Sequence, residues 1–278
     1  MLRHRDAALL SARAARGVNA ADEGDRLPPS IGGLIGFGLR AWAANAPLFL
    51  ALQLGVFAAY AIAEVVVPAA TLSSPQGQFK QYVLVYTGLF ADALVVAAAA
   101  FAVAARSAGA QTSARVLTGA AIDRWLPVIA VSFIAQSVVF LTSALSGLGP
   151  QSEPRALQYF TAPFVWLLWG ILGLTGPFVA LGADRRAFSV IVAFVHAFTT
   201  SLHRANLVRL AVLAIITVLP SVLLNVTYDA LVAHHVARPI FWGQVPIDAL
   251  TIGPLAALQT AFALDFARRA GGIEAPPA

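Results

Sequence analysis

Apolar residues along the chain fall into six long runs, and the short segments between them carry nearly all of the charge. A helix needs about 20 apolar residues to cross a hydrocarbon layer of roughly 30 Å. The runs therefore predict six transmembrane helices, at Ala46–Val67, Tyr82–Ala105, Trp125–Leu148, Phe160–Leu181, Leu207–Leu231 and Phe241–Phe266. Tyr82, Trp125, Tyr159, Tyr228 and Trp242 fall near the ends of these runs, where aromatic rings favour the headgroup level. Pro177, Pro220 and Pro254 fall inside them, which neighbouring helices in a membrane can accommodate.

The stretch from Asp184 to Leu210, DRRAFSVIVAFVHAFTTSLHRANLVRL, reads as a seventh apolar run between arginines. Its helical periodicity argues otherwise. At 100° per residue Ser189, His196, Thr200, His203 and Arg204 share one arc, and Phe188, Ile191, Phe194, Val195, Phe198 and Leu202 fill the opposite one. That division suits an amphipathic helix lying at the membrane surface, with its polar arc toward water. Comparable segments precede the other odd-numbered runs. SIGGLIGFGLRAWAAN starts at Ser30, a good N-cap, and sets Ile31, Leu34, Ile35 and Trp42 against Arg40; SARVLTGAAIDRWLP precedes the third run. The expected fold is thus all-α: six transmembrane helices with amphipathic interfacial helices before spans 1, 3 and 5. Starts near Ser30, Ser113 and Ala187, with Pro47 and Pro127 entering their spans at equivalent points, are consistent with three copies of one unit.

Composition supports a membrane protein, because the 278 residues are 59% hydrophobic and only 11% charged, against about 25% charged in soluble domains. Charge also sets an orientation. Fifteen of the 18 basic residues fall on one side of the predicted topology, and only Lys80, Arg155 and Arg238 on the other. The positive-inside rule then puts both termini in the cytoplasm, and the composition suits a bacterial inner membrane. Residues 1–29 are expected to be a mobile basic cytoplasmic arm, 30–270 a single membrane domain and 271–278 a disordered tail. The arginines and few early acids of the arm also suit a mitochondrial transit peptide.

The passage GPFVALGADRRAFSVIVAFVHAF, Gly176 to Phe198, together with the short amphipathic segments leading into spans, resembles the membrane domain of bacterial glycerophosphoryl diester phosphodiesterases and YciC-like six-span inner-membrane proteins. In that group a proline-containing span ends at the cytoplasm and an amphipathic helix feeds the next span. The phosphodiesterase active site of the group lies in a separate soluble barrel. The resemblance therefore implies a fold and a location, and it carries over no catalytic residue.

An ionisable side chain within a span is costly and should face protein or water. Asp92 lies near the middle of the second run, Gln136 at a comparable depth in the third, and Gln53 somewhat nearer the cytoplasm in the first. They form a candidate intramembrane polar site, which either holds a proton, cation or amine or simply hydrogen-bonds between packed helices. Asp248 and Asn225 are candidates for an outward-facing polar pocket. Asp265 stands at helical spacing from Arg268 and Arg269, so local pairing is expected there. Arg40, Arg185, Arg186 and Arg204 are candidate contacts to anionic lipid. There is no cysteine, and no hydrolase elbow, phosphate loop or dinucleotide fingerprint stands out. The expectation is a non-enzymatic protein without cofactor or metal that organises membrane lipids or a membrane-protein partner and has no nucleic-acid partner. The alternative is a small transporter or lipid-translocating protein built around Asp92.

Overall fold

The computed structural model describes residues 27–66, 75–146, 156–182, 188–236 and 245–270. Most of the basic arm, Arg185, Arg186 and the C-terminal tail lie outside the described residues, as do the side chains of Asn225 and Asp248. The described residues are helical almost throughout. In chain order the helices are α1 (Ile31–Val66), α2 (Pro75–Ser107), α3 (Ala114–Ser146), α4 (Ala156–Gly173), α5 (Thr175–Leu181), α6 (Phe188–Ser201), α7 (Leu207–Ala233) and α8 (Val245–Arg269), with a 3-10 turn at Arg204–Asn206 before α7. Six segments in them are long and apolar enough to cross a membrane.

Local chemistry explains where these helices start and stop. Ser30 caps α1: its Oγ accepts from the Gly33 N–H at 3.1 Å, and its carbonyl accepts from Leu34. Ser113 does the same for α3 through Val116 and Leu117. At the far end of α2, Gly109 adopts φ 67°. This lets Gly109 N–H reach the Arg106 carbonyl and Ala110 N–H reach Ala105, the paired bonds of a Schellman ending. The fourth run breaks at Leu174 into α4 and α5. Pro177 is the cause, since it offers no N–H to the Gly173 carbonyl and its ring crowds that oxygen.

The interfacial helices expected before spans 1 and 3 are not separate elements. They continue into their spans, so that α1 has 36 residues and α3 has 33, with Pro47 and Pro127 in their interiors. At 1.5 Å per residue these helices are about 50 Å long, well beyond the hydrocarbon thickness. Each proline removes only one backbone bond, and no glycine or turn residue beside it ends the helix. The segment before span 5 does stand alone as α6, whose 14 residues cover about 21 Å, too little to cross. Its orientation differs from the expectation. Ala193, Ala197, Thr200 and Ser201 are buried, whereas Ile191, Val192, Val195 and Leu202 are exposed. The arc expected to face water is turned into the protein. Small side chains allow close approach there, and the Thr200 hydroxyl donates to the His196 carbonyl at 2.7 Å, so its burial leaves no donor unmet.

Packing follows the logic of a protein dissolved in lipid, with small residues inside and large apolar ones outside. α2 and α8 are the most enclosed helices. Ala93, Ala97 to Ala100 and Val103 of α2, with Ala256, Ala257 and Ala261 of α8, are all fully buried. α1 packs against both, α3 lies along α2, and α4 lies along α7. Gly38 makes the α1–α8 contact possible, because a Cβ there would stand 3.1 Å from Leu258 and 3.2 Å from the Ala257 carbonyl. The outer surface carries Leu54, Leu126, Phe164, Val208, Ile215 and Val226.

Candidate functional site

Two polar constellations stand out among the described residues. The first lies between α1 and α2, where Gln53 is 1% exposed and its Nε2 donates to Asp92 Oδ1 at 3.1 Å. Asp92 is itself only partly buried. Arg106 marks the basic end of α2, with its guanidinium 5.8 Å above the Phe37 ring of α1. Counting along either helix from that contact puts the Gln53–Asp92 pair about 21–24 Å deeper. The two residues therefore stand at one level, and Gln53 is not the shallower partner.

The third member of the expected site is elsewhere. Gln136 is exposed on α3, off the buried stripe of Ala121, Val128 and Val131, so the three side chains do not form a continuous polar seam. Trp125 packs on Phe90 at 5.9 Å between ring centroids. Phe90 is two residues from Asp92, so the half-buried Arg124 sits nearer the level of Asp92 than that of Arg106. This follows from the continuity of α3, which has already run beside α2 for three turns when it reaches Trp125.

The second constellation closes the basic end of the bundle. Asp265 of α8 is fully buried and meets three guanidiniums: Arg209 of α7 at 3.0 Å, Arg268 at 2.5 Å and Arg269 at 2.8 Å. The same arginines reach the chain entering α1. Arg209 and Arg269 donate to the Pro29 carbonyl at 2.6 and 2.8 Å, and Arg268 donates to the Leu27 carbonyl at 2.9 Å. One carboxylate thus fixes the starts of α1 and α7 and the end of α8 together, while net positive charge remains. Beside it Asn206 is fully buried and donates to the carbonyls of Thr200, at 2.8 Å, and Phe266, at 3.2 Å. These bonds hold the elbow between α6 and α7 against α8.

The elbow is polar but incompletely paired. Ser201 Oγ, His203 Nδ1 and Asn206 Oδ1 are buried with no hydrogen-bond partner among the described residues. On the inner side of α6, His196 meets the Phe178 ring edge-on at 4.6 Å. Burial there holds its pKa below the ordinary 6.5. Of the candidate lipid contacts, Arg40 and Arg204 are exposed.

Sequence spacing indicated the pairing of Asp265 with Arg268 and Arg269. Arg209, Asn206 and the two backbone carbonyls were missed, because they approach Asp265 or its neighbours only through the fold. Gln259 and Thr260, buried polar residues of α8, also drew no notice in the sequence. The Thr260 hydroxyl donates to Ala256 O at 2.8 Å, a bond within its own helix that periodicity does not reveal.

No family model matches the chain, and no curated protein or solved structure matches it. What it is therefore rests on its helices. It is an all-helical, multi-pass membrane protein. Pro29 and Arg269 are in contact, so its first and last described helices have their free ends at the same end of the bundle.

Proposed function

We propose that this is a non-enzymatic protein of the bacterial inner membrane that organises lipid or partner proteins, with its basic end and both termini in the cytoplasm. The observation that carries this reading is the basic end itself. A fixed framework of Arg209, Arg268 and Arg269, neutralised only in part by Asp265, holds positive charge where helices leave the membrane. The exposed Arg40 and Arg204 add to it. Each such arginine near an anionic leaflet contributes about 1 kcal/mol of attraction. The resemblance of Gly176 to Phe198 to the phosphodiesterase membrane domain and YciC-like proteins supports the same location.

The test is reconstitution in vesicles of phosphatidylethanolamine and phosphatidylglycerol, followed by analysis of the lipid that stays with the protein. Phosphatidylglycerol should be enriched, and Arg40→Glu with Arg204→Glu should reduce that enrichment by several-fold. Turnover of a lipid headgroup by the purified protein would overturn the reading.

A second reading, transport or lipid translocation, is favoured by one observation. Asp92 is a partly buried acid deep in the bundle, and Arg124 lies near its level. In that case Asp92→Asn abolishes a proton-linked flux in the same vesicles, whereas the structural reading predicts no flux with or without the substitution.

A further inference from the structure

α6 is apolar on its outside and small or polar on its inside. The exposed Ile191, Val192, Val195, Thr199 and Leu202 share an arc of about 100° around the helix axis, and the buried Ala193, Ala197, Thr200 and Ser201 share the opposite one. No charged side chain stands on the outer arc. Its one polar group, the Thr199 hydroxyl, donates to the Val195 carbonyl at 2.9 Å, so the arc needs no water. On its inner side α6 packs against α5 and touches α3, α4 and α8. This is the reverse of a helix lying between protein and water, which would keep its apolar side chains inside.

We infer that the outer arc of α6 is immersed in the acyl chains of the leaflet at the basic end, so that this helix lies between bundle and lipid. The arc is continuous with a surface that lipid already covers. Past the elbow it leads into Leu207 and then into Val208, Ala211, Ile215, Leu219 and Val222, exposed at every third or fourth residue of α7. α7 is long and apolar enough to cross the membrane, so its exposed stripe faces lipid. α6 is too short to cross, and its end is tied to the basic end, where Asn206 binds the Phe266 carbonyl and Arg209 binds Asp265. Arginines flank it in the chain, Arg185 and Arg186 before it and the exposed Arg204 after it. Long cationic side chains reach toward headgroup phosphates and hold the ends of an apolar segment near that level. α6 therefore adds its volume to one leaflet alone, whichever reading of the function holds.

The chain has no cysteine, so a single introduced thiol carries a spin label at one position alone. In phosphatidylethanolamine and phosphatidylglycerol vesicles, labels at Val192→Cys and Val195→Cys should meet dissolved oxygen far more readily than a water-soluble nickel chelate, as should one at Ile215→Cys on α7. Gln111→Cys, exposed in the turn between α2 and α3, should show the reverse, with the oxygen-to-nickel ratio several-fold lower. The unmodified protein gives a second measurement that no substitution can disturb. A carbene-forming probe carried on the acyl chain should label residues 188–202 together with those of α7. Three results overturn the inference: nickel access at Val192→Cys and Val195→Cys equal to that at Gln111→Cys, which means water; low access to both reagents there, which means a covering protein or second copy; or acyl-chain labelling of α7 without α6.

Discussion

Replacing Asp265 by asparagine keeps the shape of the side chain and removes its charge, leaving three arginines crowded around a neutral amide. Removing one partner from a buried ion pair costs about 3–5 kcal/mol. Here the carboxylate is fully buried, but its partners are unequally enclosed: Arg209 is 16% exposed, Arg269 26% and Arg268 47%. The half-exposed Arg268 is screened and contributes under about 1 kcal/mol. Most of the loss thus falls on Arg209 and Arg269, and Asp265→Asn should destabilise the bundle by about 3 kcal/mol. The same reasoning orders the partners. Arg209→Gln should cost most, because that side chain is the most enclosed and joins α7 to both α8 and Pro29. Arg269→Gln should follow and Arg268→Gln should cost least. Reversible unfolding in mixed detergent micelles, followed by circular dichroism, measures all four. An Asp265→Asn protein within about 0.5 kcal/mol of the parent, or an Arg268→Gln protein weaker than Arg209→Gln, would refute the reasoning.

Other expectations concern the packing and the second polar pair. Gly38→Leu should destabilise by about 1–3 kcal/mol or more through overpacking against Leu258. Gly119→Leu, where an added Cβ touches nothing within 4 Å, should hold or raise the unfolding midpoint, because leucine favours a helix over glycine by about 0.8 kcal/mol. A double-mutant cycle with Gln53→Leu and Asp92→Leu should give a coupling of about 0.6–1.7 kcal/mol, and zero coupling would show that their hydrogen bond adds nothing. Because burial lowers the pKa of His196, the undocked helix binds the proton more readily. The stability of α6 against α5 should be complete above pH 6.5 and decline as pH falls below it. Hydrogen exchange over α6 measures this, and His196→Phe should flatten the profile.

The sequence reveals the features that depend on neighbours a few residues away. Ser30 and Ser113 mark the starts of α1 and α3 because capping is local, and hydropathy marks six crossings because solvation by lipid acts on whole segments. The independence of α6 was legible from its polar arc and from the arginines on either side. Its direction was not, since a polar arc of Thr200 and His196 serves equally well against water or against alanines and Phe178. Pro47 and Pro127 looked like boundaries, yet nothing near them ends a helix, so α1 and α3 run through. Gln53 and Asp92 were recognised as costly residues, and their meeting follows from the antiparallel register of α1 and α2. Gln136 had the same apparent credentials, but the facing of α3 is set by small residues such as Ala121 and by Val128 and Val131, which make only a weak stripe. Arg209 escaped notice because its partner Asp265 belongs to the last helix.

The contacts from Arg209, Arg268 and Arg269 to the carbonyls of Leu27 and Pro29 bring the first and last described residues together. Residues 27 and 270 could be joined by a short linker, and new ends opened in the 108–113 turn, which lies at the same end of the bundle as Arg106. Such a circular permutant would thread every helix in its present direction, with its new ends at the basic end of the bundle. The order in which helices leave the ribosome would change, with α3 first and α2 last. Comparing its insertion yield with that of the parent chain would separate what the finished bundle requires from what its order of synthesis requires.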